Sequence, residues 1–577
     1  MKKIVGCMIL VIVLTLMLAA IPVNAMNSGM AGNVYYVYEP ETKTVTISGK
    51  GEIPDNFIFK KLGDIQKEEV EQVVIKSGVT GIGKQAFANM DSLHTVVMPN
   101  TVKSIGEAAF AYCNDLIYFT TGATQIGKNA FYECTQLMSV KLTGKNVVIG
   151  ERAFYLCDNL KQVLFTGSLS TIQKEAFMYC KVLEAVELPE GTVEIGQSAF
   201  EKCIALKTVT MPNTVTTLGE KVFSQCVQLQ SVKLSDNITK IPAMVFNSCS
   251  ALLRVDLPAN LKMIDMDAFS HCESLTVVKL PEGLTTISAY AFRSCSRLTN
   301  VEFPSTLVTI GANAFRGASI QVLVLPESLI AVGEGAFRLN DHLEAIHFGS
   351  KLNTIDKNVF KGCKSLKHVC IPATVTRIDE SAFAGCDQLK SVHFLGDAPT
   401  IISSAFPSGT QFFVEEGATG WDNWAEKNWS AQITVQQWEN GPETTVTQSP
   451  VVLPKVDDTI TYLPHIDPKA PPTPQTTKPT TSPTTAPTTQ PTTEPTVPST
   501  TEPSTVPTAT PTTAPTTTPP TTEPTTPTTQ QPAVDLEQEK QPLISGTVLQ
   551  IICVVCTALL TAGCVILVAL ETRKRKK

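Results

Sequence analysis

A phenylalanine returns along this chain at a nearly fixed interval, from Phe87, Phe110, Phe131 and Phe154 onward to Phe360, Phe383 and Phe406. Fifteen such residues leave fourteen intervals, of which twelve are 23 residues, one is 22 and one is 21. A unit of that size is too small to bury its own apolar face, so a core closes only when one unit stacks on the next. The chain is therefore constrained to a solenoid, whose long faces suit binding better than catalysis.

Within one unit the pattern is equally regular. Residues 206–226 read LKTVTMPNTVTTLGEKVFSQC and residues 275–295 read LTVVKLPEGLTTISAYAFRSC. The shared template is L-x-x-V-x-L-P-x-x-(L/V)-x-x-I-x-x-x-A-F-x-x-C. Alternation in V-x-L predicts a half-buried strand, and the proline ends it where a missing donor does least harm. Glycines at 83, 106, 127, 196, 219 and 311 predict a tight bend before the Ala-Phe segment. That segment is expected to close the coil on the convex side as a short irregular or 3₁₀ piece. Stacked turns then form a parallel sheet on one face.

A cysteine follows the phenylalanine by three residues at 113, 134, 157, 180, 203, 226, 249, 272, 295, 363 and 386. Equivalent positions in stacked strands lie about 4.8 Å apart. Parallel Cβ vectors suit a disulfide poorly, whereas a small apolar side chain suits an interior column. The expectation is an inward ladder of free thiols. Met90, Ala318 and Asn340 hold the same place in other units; they can fill space and cannot cross-link.

The flanks differ sharply in composition. Residues 1–25 carry Lys2 and Lys3, an apolar run and Val23-Asn24-Ala25, the pattern of a cleaved secretory signal. Residues 548–570 are apolar enough and long enough for one membrane span, and Arg573, Lys574, Arg575, Lys576 and Lys577 then mark the cytoplasmic side. Residues 470–533 are nearly all Thr and Pro. Such a segment lacks the apolar groups to fold, and as extended polyproline II at about 3.1 Å per residue it reaches on the order of 200 Å. The expected organisation is a signal peptide at 1–25, a small β-rich segment at 26–69, the solenoid at 70–409 and a cap at 410–440. A linker and stalk at 441–545, a transmembrane helix at 546–570 and a basic tail at 571–577 follow. The expected protein is a single-pass type I protein of the plasma membrane with its large ectodomain outside, on a bacterial cell surface, with a protozoan source as the alternative. A net charge of −7 excludes the basic face of a nucleic-acid binder.

The string I-G-x-x-A-F-x-x-C-x-x-L-x-x-V-x-L-P resembles the BspA-like, treponemal-type leucine-rich repeat of bacterial and some protozoan surface proteins, over roughly residues 71–413. Residues 36–56 resemble the small β segment found ahead of such arrays. Residues 410–435, with Trp421, Trp424 and Trp429, resemble the segment that ends them, and indoles there can cover the apolar end of a stack. The resemblance implies a surface protein that adheres to host matrix proteins or other microbes, with no ligand named and no catalytic residues to carry over.

No sequence signature of an enzyme or of a bound cofactor is present, and none is expected. The candidate contacts lie two and four residues after the leucine that opens each strand, where side chains point away from the core. There His347, His368, Cys370 and His393 fall on three successive strands, a donor set that suits zinc or copper or, alternatively, a patch that contacts a ligand. In the same columns Lys141, Glu187, Lys233, Asp256, Lys279 and Glu302 alternate in charge, and opposite charges on adjacent strands support one another. Tyr118 is the clearest aromatic. Scarce aromatic platforms favour a protein ligand over a polysaccharide. The expected function is adhesion to a host or neighbouring-cell protein; the competing class is a glycan-binding or nutrient-capture receptor.

Overall fold

The computed structural model describes residues 27–58, 66–402, 404–422 and 435–437. The expected signal peptide, stalk, transmembrane helix and basic tail lie outside the described residues, as do Trp424 and Trp429. Among the described residues no helix is long and apolar enough to cross a membrane.

The described chain is a β-solenoid of about fifteen turns, and two parallel ladders run along it. The first stacks the V-x-L strands: Val140 of Ser139–Leu142 sits between Phe119 and Val163 of its neighbours, and Val209 sits between Val186 and Val232. The second stacks short strands after the turn, such as Gln125–Ile126, with Ile126 between Ile105 and Ile149. Alternation explains both, because every second side chain points inward. Val, Leu, Ile and Phe of successive turns form one continuous buried core.

The Ala-Phe segment is more ordered than an irregular or 3₁₀ piece. Residues two before and two after the phenylalanine take a left-handed conformation, as at Gln85 (φ 52°) and Asn89 (φ 57°) or Lys221 (φ 58°) and Gln225 (φ 60°). This alternation of hand aims successive donors to one side. Gln85, Phe87 and Asn89 donate their N–H groups to the carbonyls of Glu107, Ala109 and Ala111 in the next turn, each at 2.8 Å. The same bond recurs from Phe110 to Ala130 and onward to Phe383 and Ala405. The register stacks the rings, with Phe131, Phe154 and Phe177 at centroid separations of 5.0 and 5.1 Å and interplanar angles of 3°.

Glycines after the second strand owe their place to close approach. None of Gly83, Gly106, Gly127 or Gly219 has positive φ, but a Cβ on Gly106 would stand 2.7 Å from the backbone of Gly83, and one on Gly219 would stand 2.4 Å from Gln197 N. A side chain there collides with the preceding turn.

The eleven ladder cysteines are free and buried. Each thiol also donates to the phenylalanine carbonyl of the preceding turn, as from Cys134 Sγ to Phe110 O at 3.0 Å and from Cys226 Sγ to Phe200 O at 3.1 Å. Asn340 takes over this donor role, with Nδ2 donating to Phe315 O at 2.8 Å and to Phe337 O at 2.9 Å.

Both ends of the stack are covered. Ser28–Ala31, Val34–Glu39 and Thr44–Gly49 form an antiparallel meander whose last strand pairs in parallel with Gln72–Ile75. Its Tyr36 meets Phe57 edge-on, and Phe57 meets Phe87. At the other end Trp421 packs on Phe394 at 4.7 Å and donates Nε1–H to Gly396 O at 3.2 Å.

Candidate ligand-binding surface

The outward column of the first ladder presents Glu187, Lys233, Lys279 and His347 to solvent, with Tyr118, Lys141, Asp256, Glu302 and Cys370 half-buried. Register decides which of them meet. Lys233 lies directly opposite Asp256, and Lys279 opposite Glu302. Leu164 follows Lys141, and Thr210 separates Glu187 from Lys233, so the six charges are not an unbroken alternating ladder. Asp256 is further engaged by Arg254 on its own strand, through Nε at 2.9 Å and Nη2 at 2.7 Å.

The first ladder is interrupted at several points, one of them between Gln162–Phe165 and Ala185–Glu187, where the turn type changes. The three preceding units leave the strand through Thr-Gly, and the threonine N–H bonds backward, from Thr143 to Thr121 O at 2.8 Å and from Thr166 to Leu142 O at 2.9 Å. The next unit leaves through Leu188-Pro189, and proline has no N–H to give. From here the residue before the proline bonds forward, Leu188 N–H to Thr210 O at 3.2 Å and Met211 N–H to Lys233 O at 3.0 Å. Where backward pairing gives way to forward pairing the surface opens into a cleft of about 610 Å³. Lys141, Phe165, Glu187, Pro189, Met211 and Lys233 line it.

The cleft combines apolar lining with two ammonium groups, Lys141 and Lys233, and two carboxylates, Glu187 and Glu190. It collects three of the residues singled out from the sequence and adds Phe165, Pro189 and Met211, which reasoning about columns missed. The signal for them was the change from FTGSLST to LPEGTVE in consecutive units.

The histidine-cysteine group comes together only in part. His368 Nδ1 and His393 Nε2 both meet Ser391 Oγ, at 2.7 and 3.2 Å. His393 is not an outward ligand as expected: its ring stacks on Phe413 at 4.8 Å and 10°, and only 8% of the residue is exposed. Burial, with help from His368, pushes its pKa down to about 4. Cys370 lies opposite His393 and is half-buried. His347 belongs to a strand that pairs with Val322–Val324 instead. Among the described residues no group of three or more His, Cys, Asp or Glu is placed to hold a metal ion.

Comparison with known proteins gives a consistent family. The model of the BspA type leucine rich repeat region matches in six copies, over residues 65–184, 170–299 and 285–411. No curated protein matches the chain. Among solved structures it is similar to a leucine rich cell surface protein from Faecalibacterium prausnitzii, with 22% identity, 72% of this chain and 96% of that one covered, and a TM-score of 0.30. A leucine-rich repeat protein from Bacteroides ovatus shares 19% identity over 71% of this chain and 100% of its own, with a TM-score of 0.41. The pneumococcal vaccine antigen PcpA shares 16% identity over 71% and 98%, with a TM-score of 0.33.

Proposed function

Because the chain belongs to the BspA-type leucine-rich repeat family, whose bacterial members are cell-surface proteins, we propose that it is a surface adhesin whose outward sheet face binds a segment of an extracellular protein. The observation that carries this reading is the cleft at the change of turn type. The half-buried Phe165 and Pro189 in its lining offer apolar area to a ligand, worth roughly 25 cal/mol per Å². Lys141 and Lys233 supply positive charge near Glu187 and set orientation and encounter rate more than affinity. With Glu190 also at the rim, an extended peptide carrying apolar side chains between charges of both signs fits that combination. In this reading the signal at 1–25, the stalk at 441–545 and the helix at 546–570 deliver the solenoid to the cell exterior and hold it away from the bacterial membrane, with the tail at 571–577 inside. Neither an enzymatic reaction nor a cofactor enters the proposal.

The test is a binding screen of the purified protein against arrays of matrix proteins and glycans. Saturable binding to a protein, weakened about tenfold in Lys141→Gln/Lys233→Gln by loss of two interfacial charges, supports the adhesin. Binding confined to glycans favours the nutrient-capture receptor and overturns it.

A further inference from the structure

On the convex side, the residue after the repeating phenylalanine is Arg293, Arg316, Arg338 and Lys361 in four successive turns. In the six preceding turns that place holds Tyr155, Met178, Glu201, Ser224, Asn247 and Ser270, so the run of cations is local to this stretch of a chain that is acidic as a whole. The adjoining phenylalanine rings are 5.1, 5.5 and 5.7 Å apart from turn to turn, which sets the spacing of the column.

Like charges stacked this closely repel unless something negative lies among them. Nearby acidic groups have partners of their own: Glu380 pairs with Lys357 at 2.8 Å, Asp341 Oδ2 with Lys364 at 2.9 Å, its Oδ1 being buried without a hydrogen-bond partner, and Glu334 accepts from Asn358 Nδ2 at 3.2 Å. Arg338 Nε is buried with no hydrogen-bond partner. Burial, then Arg338 and Arg293, lower the pKa of Arg316 from its ordinary value. Arg293 lies over the ring of Tyr290 at 5.6 Å, which places an aromatic surface at one end of the column.

We propose that this column is a second binding site, separate from the cleft, and that it takes an acidic polysaccharide carrying sulfate or carboxylate groups. Guanidinium forks pair with such groups through two parallel hydrogen bonds. Spacing favours a glycan over an acidic peptide. Alternate side chains of an extended peptide repeat at roughly 6.7 Å, two residues at about 3.3 to 3.4 Å each, whereas the column advances by a shorter step, comparable to one sugar ring. Tyr290 offers a face on which a terminal ring can rest.

The experiment measures retention of the full-length protein on immobilised heparin, the sulfated probe, with hyaluronate, polyglutamate and neutral dextran as soluble competitors. The wild type should bind at physiological salt and be displaced by the acidic glycans but not by dextran. Arg316→Gln/Arg338→Gln should weaken binding about tenfold or more and flatten its salt dependence by roughly one to two charges' worth. Lys141→Gln/Lys233→Gln should leave heparin binding unchanged. If the double arginine variant fails to fold by circular dichroism, Arg293→Gln at the end of the column should still weaken binding about threefold, through loss of one counterion-releasing contact. Unchanged affinity in the folded arginine variants, no retention of the wild type, or competition by polyglutamate equal to that of heparin would overturn the assignment.

Discussion

Replacing Asn340 by alanine removes three hydrogen bonds from the interior, and one of them, from Ile320, exists because of a deletion. The interval from Phe315 to Phe337 is 22 residues, one short, and the missing residue falls between Ala318 and Ile320. In a full turn the leucine at this point bonds back to the cysteine carbonyl, as Leu298 N–H does to Cys295 O at 2.9 Å. Ile320 is too close to Ala318 for that bond, and its N–H instead reaches Asn340 Oδ1 of the next turn at 3.2 Å. Phe315 O keeps a second donor, the N–H of Ala318 at 3.2 Å. Asn340→Ala therefore strands chiefly the Ile320 N–H and weakens the satisfaction of Phe337 O. At about 1–3 kcal/mol for each buried group left unmade, the expected loss is about 2–4 kcal/mol. Asn340→Cys restores a donor toward Phe315 O but still strands Ile320, for an expected loss of about 1–3 kcal/mol. Urea unfolding gives the totals, and amide exchange at Ile320 gives the local effect. The reasoning fails if Asn340→Ala lies within about 0.5 kcal/mol of wild type, the range of ordinary surface changes, or if cysteine restores stability and Ile320 protection completely.

Two further outcomes follow from buried titrating groups. Burial raises the thiols from Cys113 through Cys226 to Cys295, the last to about 12, so they stay neutral at mildly alkaline pH; iodoacetamide should label the half-buried Cys370 before Cys226, and the buried ladder thiols only in denaturant, as read by peptide mass spectrometry. His393 sits at about 4 against an ordinary 6.5, so the unfolded chain takes up its proton first. Its contribution to stability is therefore intact above pH 6.5 and lost as pH falls through that window toward 4. Unfolding midpoints across the same range should lose part of their acid slope in His393→Phe; an unchanged slope would contradict the assignment.

Much of the fold was legible because it repeats. The phenylalanine period and the V-x-L alternation specify a stacked core, and one cysteine per turn at one register specifies an interior column. The left-handed backbone around each phenylalanine was hidden, because many of its positions hold residues such as Gln85, Ala108, Tyr112 and Lys221 that carry no local signal for positive φ; the asparagines at 89, 129, 313 and 358 and the glycines at 317, 335, 362 and 385 hint at it. The cleft depends on a difference between neighbours, Thr166 against Pro189, which a consensus averages away. His393 was misread because Phe413, on a strand beyond the last regular unit, covers it.

The convex seam of hydrogen bonds gives the assembly a direction in time. From the turn of Phe87 to that of Phe360, each Gln85-type, phenylalanine and Asn89-type N–H in it bonds to the turn that comes later in the chain. A nascent solenoid emerging N-terminus first thus always ends in a row of open donors, which the next 23 or so residues close on arrival. Growth proceeds like a zip fed from one side, and a chain stopped at any turn is left with an adhesive edge instead of a finished end.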